Sequence, residues 1–173
     1  MGALLEVLKY VLPSLVVFAT AYLLIKSFFE EQTRIKELDI LAQKKMDMGP
    51  LKLQAYERIV MFLERIAPHS LLPRTQQIGM TAQVLQTKLL SAIRSEYEHN
   101  LSQQIYISKD AWIVTKTAKE SIVKIINSSM DKVGKEAPAF ELSKLILEHM
   151  MSLQNSPTDT AIDFLKKEVD KLF

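Results

Sequence analysis

Tyr10–Ile25, YVLPSLVVFATAYLLI, is a run of sixteen residues without a charge, and its reading decides how the rest of the chain is placed. As a helix rising 1.5 Å per residue it reaches roughly 24 Å, short of the ~30 Å hydrocarbon core of a bilayer. The flanks extend it: Leu4, Leu5, Val7 and Leu8 come before, Phe28 and Phe29 after. Glu6, Lys9 and Lys26 stand near the ends, where lysine stems lie along apolar surface while their ammonium groups reach the headgroups, and Glu6 pairs with Lys9 at i+3. Pro13 falls in the first turns, where a lost backbone hydrogen bond costs least. The pattern predicts a transmembrane anchor in residues 1–29. A cleavable signal peptide would use Ala19-Thr20-Ala21, but the apolar run continues through Tyr22-Leu23-Leu24-Ile25 and the residues ahead of it are not clearly basic. The remaining competitor is a buried core helix. Only Lys9 precedes the span, whereas Lys26, Arg34, Lys36, Lys44 and Lys45 follow it, which places the N-terminus outside and the larger C-terminal domain in the cytoplasm.

Working outward, residues 30–49 read as a stalk helix continuous with the anchor, with Ile35, Leu38, Leu41 and Ala42 on one stripe. Its apolar repeat is too short for a sustained coiled coil. Gly49-Pro50 is the first break signal. Beyond it, residues 50–173 carry helical apolar spacing throughout and no sustained period-two alternation. Pro50 opens a helix with Leu53, Tyr56, Ile59, Val60, Leu63 and Ile66 on one face. Pro68 and Pro73 bracket a link. Thr75 caps a segment to about Gln103 with the stripe Ile78, Ala82, Leu85, Leu89, Ala92, Ile93 and Tyr97. Ser108 caps the next helix, with Asp110 in its first turn and Gly134 as its C′ residue. Ala137-Pro138 opens another through Leu142, Leu145, Ile146, His149, Met150 and Leu153. Ser156, Pro157 and Asp159 start the last, and Leu172-Phe173 reads as a docked end. The fold class is all-α: an anchor, a stalk and a compact bundle of about five helices.

Composition excludes several kinds of chemistry. There is no cysteine, hence no disulfide, thiolate ligand or thiol nucleophile, and four glycines leave no Gly-rich phosphate loop. With 22 basic and 20 acidic residues interspersed, no basic stripe marks a nucleic-acid partner. His69, His99 and His149 are far apart. Glu96 and His99 form one Glu-x-x-His pair, the unit that di-iron bundles use twice, but a second copy is absent. Ser91 and Ser143 lie on helix faces outside any nucleophile motif and read as solvated. The sequence therefore predicts no enzyme, no cofactor and no metal site. Two polar regions remain as candidate partner-binding positions: the neutral face bearing Gln76, Gln83 and Gln86, and the varied stretch bearing Glu96, His99, Asn100 and Gln103.

Three stretches, LKLQAYERIVMFLERIAPHSLLPR (51–74), IRSEYEHNLSQQIYISKDAW (93–112) and TAIDFLKKEVDKLF (160–173), resemble a family of short single-pass membrane proteins of Gram-negative bacteria whose function is unknown. The resemblance implies an inner-membrane anchor with a cytoplasmic helical domain, and it brings no activity and no catalytic residues. The expected role is a non-enzymatic accessory or scaffold subunit, with the lipid bilayer and other inner-membrane subunits as partners. The alternatives are a self-associating homo-oligomeric scaffold and, last, a helical-bundle enzyme or metal-binding protein.

Overall fold

The structure is a computed structural model that describes the backbone of residues 2–172 and the side chains of residues 15, 17–34, 36 and 49–172. Within these bounds the chain is all-α, as expected, with six α-helices and one 3-10 segment; the element added to the expected bundle is the short helix Pro68–Thr75. Two compact units divide between Gly49 and Pro50.

Helix α1 runs Gly2–Ile66. Gly49 and Pro50 lie inside that span, so the expected break is not one. Proline removes one i→i−4 bond, but its fixed φ near −65° is a helical value, and a Gly-Pro pair alone does not end a helix. Among the described residues no helix is long and apolar enough to cross a membrane. Part of the predicted anchor, residues 1–14 and 16, and the stripe Ile35, Leu38, Leu41 and Ala42 lie outside the described side chains.

In the second unit the end of α1 buries Ala55, Tyr56, Ile59, Phe62, Leu63 and Ile66. Ala67 then turns extended, and Pro68–Thr75 forms α2 where the sequence suggested only a link. Pro68 supplies the preset φ for its first turn, and Leu71 and Leu72 are buried beneath it. The long helix expected from Thr75 does not start there. Gly79 adopts φ 84°, a left-handed value that stops helix, and Thr81 caps α3, Ala82–Asn100, by accepting from the Val84 N–H. Ile78 fits the apolar spacing yet stands at 107% exposure, because its segment never joins the helix.

A 3-10 turn, Leu101–Ile105, leads to α4, Lys109–Met130, whose Ser108 cap accepts from Ala111 N–H at 3.0 Å, as its sequence predicts. Gly134 is not its C′ residue. The helix ends earlier, through turns at Asp131, Lys132 and Val133, and Gly134 has no positive φ. Helices α5, Ala139–Ser152, and α6, Pro157–Leu172, complete the bundle. Leu172 is 49% exposed and does not dock; Phe173 lies outside the described residues.

Helix α4 packs on α3, α5 and α6, and α3 also packs on α2 and α5. The starts of α3 and α5 are stitched together: Ala82 N–H donates to Ala137 O at 2.8 Å, Gln83 N–H to Lys135 O, and Ala139 N–H to Met80 O. First-turn amides that a helix cannot satisfy itself are thus satisfied by the neighbouring link. Leu85 sits fully buried one turn inside α3. Leu85→Ala should cost about 2–5 kcal/mol in urea unfolding, as cavity-forming leucine truncations do. Ile78→Ser should stay within about 0.5 kcal/mol of wild type, as surface substitutions do.

Candidate functional site

The end of α1 meets α3 through aromatic rings, and α3 meets α4 in the same way. Phe62 packs on Tyr97 with ring centroids 6.0 Å apart, and Tyr97 stacks on Trp112 at 5.6 Å. Lys119, two turns beyond Trp112, holds Nζ 4.2 Å above the centre of the Tyr97 ring, a cation–π contact. Burial raises the Tyr97 pKa above its ordinary 10.0, and the Glu120 carboxylate adds to the rise. Tyr56 accepts from Ser108 N–H at 3.3 Å, which ties α1 to the start of α4. Its pKa is also raised, chiefly by burial. The Ser108 N–H opposes the rise and the Glu168 carboxylate reinforces it.

Beside the aromatic rings lies an open hollow of about 540 Å³. One wall is Arg58, Met61, Phe62 and Arg65, spaced i, i+3, i+4, i+7 on α1; the other is Ser95, Glu96, His99 and Asn100 on α3. Glu96 Oε1 accepts from both Nε and Nη2 of Arg65 at 2.6 Å, and Arg74 Nη1 of α2 stands 4.0 Å from the same oxygen. Arg74 Nη2 also donates to the Arg65 carbonyl at 2.6 Å. One carboxylate therefore joins three helices. Asn100, 7% exposed, donates from Nδ2 to the Glu96 carbonyl at 2.8 Å and closes the end of α3. Arg58, Ser95 and His99 line the hollow with side chains that make no hydrogen bond or ion pair among the described residues.

The hollow brings together Glu96, His99 and Asn100 of the sequence candidates and leaves the four glutamines elsewhere. Gln76 Oε1 accepts from Ser143 Oγ at 2.6 Å, and Gln86 Nε2 donates to Asn127 Oδ1 at 3.0 Å, so both join helices within the bundle. Ser143 is buried in this contact, not solvated. Gln83 is half-buried at the stitched start of α3, and Gln103 Nε2 reaches Ser102 Oγ at 3.4 Å. Sequence reasoning missed Arg58, Arg65 and Arg74. The i, i+7 repeat of Arg58 and Arg65 on the polar face of α1 was the available signal.

Chemically, the hollow is a cationic recess. Ser95 and His99 are one turn apart on α3 and share no hydrogen bond. Among the described residues no three His, Cys, Asp or Glu side chains gather around a metal position.

Fold and hollow together define an all-α helical bundle with an arginine-lined recess on its surface. The chain belongs to DUF7935, a family of unknown function, which matches residues 2–172. No curated protein and no solved structure matches it.

Glu96→Gln should lower stability by about 1 kcal/mol, the upper range for partly exposed pairs, and the loss should shrink in high salt. A raised tyrosine pKa means the folded state holds its proton where the unfolded state has released it. That stabilisation is complete below pH 10 and is lost as pH rises through the raised folded value. Urea midpoints should therefore fall above pH 10, and a Tyr56→Phe/Tyr97→Phe variant should show a flatter alkaline decline.

Proposed function

We propose that this protein is a non-enzymatic, single-pass subunit of the bacterial inner membrane. An N-terminal helix anchors it, and the helical bundle serves as an accessory or scaffold surface on the cytoplasmic side. The observation that carries this reading is the exposure of the first unit's apolar side chains. Leu15, Val17, Phe18, Leu23, Leu24, Ile25, Phe28 and Phe29 are all 56–70% exposed. At 100° per residue, Tyr22 to Ile25 sweep roughly 300° of the helix, so no single face gathers them. A helix apolar all round requires burial in protein or in lipid. Apolar residues contribute about −0.3 to −0.6 kcal/mol each to insertion, and the remainder of Tyr10–Ile25 is rich in them. The lysines and arginines after the run favour a cytoplasmic C-terminal side.

A scaffold role is supported by how the polar side chains of the bundle are used. Gln76, Gln86, Glu96 and Asn100 hold helices or helix ends together, while exposed apolar residues such as Ile78 and Phe140 remain for contact. The tagged full chain should stay in the membrane pellet after alkaline carbonate washing. Leu23→Arg/Leu24→Arg should release it, since each arginine costs about 2.5–3.5 kcal/mol at the centre of a span. Purification in mild detergent should recover a stoichiometric partner. A wild-type chain in the carbonate supernatant would refute the anchor, and a lone monomer in detergent would refute the accessory role.

A further inference from the structure

We propose that the bundle binds an anionic phospholipid, with the phosphate headgroup in the arginine-lined hollow and an acyl chain along a groove between α1 and α6. The groove has about 480 Å³ and is walled by Leu53, Tyr56 and Val60 of α1 with Leu165 and Val169 of α6. Leu53 to Met61 covers roughly 12 Å of helix, a length suited to an extended hydrocarbon chain. Tyr56 lines the groove, and its hydroxyl oxygen accepts from the Ser108 N–H.

What joins groove and hollow is Met61. It borders both and is 59% exposed, an apolar side chain left in water at the crest between them. Methionine adapts its shape to irregular apolar ligands. The stretch of α1 from Leu53 to Arg65 thus presents a cationic recess on one flank and an apolar trough on the other.

Charge sets the direction of the ligand. Two guanidinium groups, Arg58 and Arg65, line the hollow against the single carboxylate of Glu96, and Arg74 stands behind it, 4.0 Å from the same carboxylate. Arg65 and Arg74 are committed to Glu96, whereas Arg58 and the Ser95 and His99 donors remain unpartnered. Arginine forks match phosphate oxygens in geometry as well as in charge. The groove is bordered instead by Glu57 and Asp170 against Lys166, a net negative edge that repels an anionic headgroup. The inference goes beyond the proposed function and needs only the second unit. Success or failure of the anchor and partner experiments leaves it untouched.

The test is NMR of the full chain held in amphipol with ¹³C-methyl methionine, the Met61 signal being assigned by its loss in Met61→Leu. Water-soluble dihexanoyl phosphatidylglycerol should shift the Met61 methyl saturably, at a concentration at least tenfold below that needed with dihexanoyl phosphatidylcholine. Arg58→Glu/His99→Ala should abolish that tenfold preference. Val60→Trp, which fills the groove, should weaken both lipids by a similar factor. These substitutions alter residues at the surface or half-buried, and unshifted signals from the remaining methionines report an intact fold. The proposal is overturned if Met61 responds equally to the two lipids. It is equally overturned if the double variant keeps the preference, or if inorganic phosphate alone is as effective as phosphatidylglycerol.

Discussion

The bundle depends on one helix being covered on three sides. α4 meets α3, α5 and α6, so its inward positions must be apolar or internally satisfied. Ala111, Ala118, Ile122, Ile125 and Ile126 meet the first condition, and Thr115 meets the second by returning its hydroxyl to the Ala111 carbonyl at 2.7 Å. Small residues near the start of α4 and branched ones further along let its neighbours approach closely at one end and interlock at the other. The ends are secured separately. Ser108 caps the start while its own N–H donates to Tyr56, and Trp112 is stacked on Tyr97. The aromatic column from Phe62 to Trp112 is how the last turns of α1 are held to that central helix.

Against this frame, what the sequence reveals divides by physical cause. Helix type and the buried stripes of α4, α5 and α6 are legible because apolar spacing and capping residues agree there. Ser108 with Asp110 is the clearest case. The start of α3 is misread because Ile78 continues the spacing while Gly79 and Thr81 contradict it; backbone geometry wins, since a left-handed residue ends a helix whatever its neighbours bury. α2 is hidden by its prolines, which signal a link although Pro68 also begins helices well. Gly49-Pro50 errs in the opposite sense. For the site, single residues are legible and their combination is not. Glu96, His99 and Asn100 stand out as chemically varied, but nothing local reports that Arg65 and Arg74, far away along the chain, would occupy Glu96. The glutamine face illustrates the same point: Gln76 and Gln86 are polar because they hold helices together, a use indistinguishable from surface polarity without their partners.

The distribution of charge also bears on why the hollow is shaped as it is. A carboxylate flanked by two arginines adds positional rigidity rather than a large stability term, because both arginines remain partly exposed. Its value is in holding the walls at a fixed separation. Arg58 and His99 then face a recess whose width does not depend on them, the arrangement expected where binding groups and structural groups have separate tasks.

The stitched starts of α3 and α5 have a consequence for how the molecule comes apart. Ala82 and Ala137 are far apart in sequence, and all of α4 lies between them, yet each segment completes the other's backbone hydrogen bonding. Neither start can fray alone without leaving amides of its neighbour unpaired. Local opening there is therefore shared, and α3, α4 and α5 form one cooperative unit in the sense that amide exchange detects. Closing that long loop costs chain entropy, which the three backbone bonds and the packing of α3 on α5 offset.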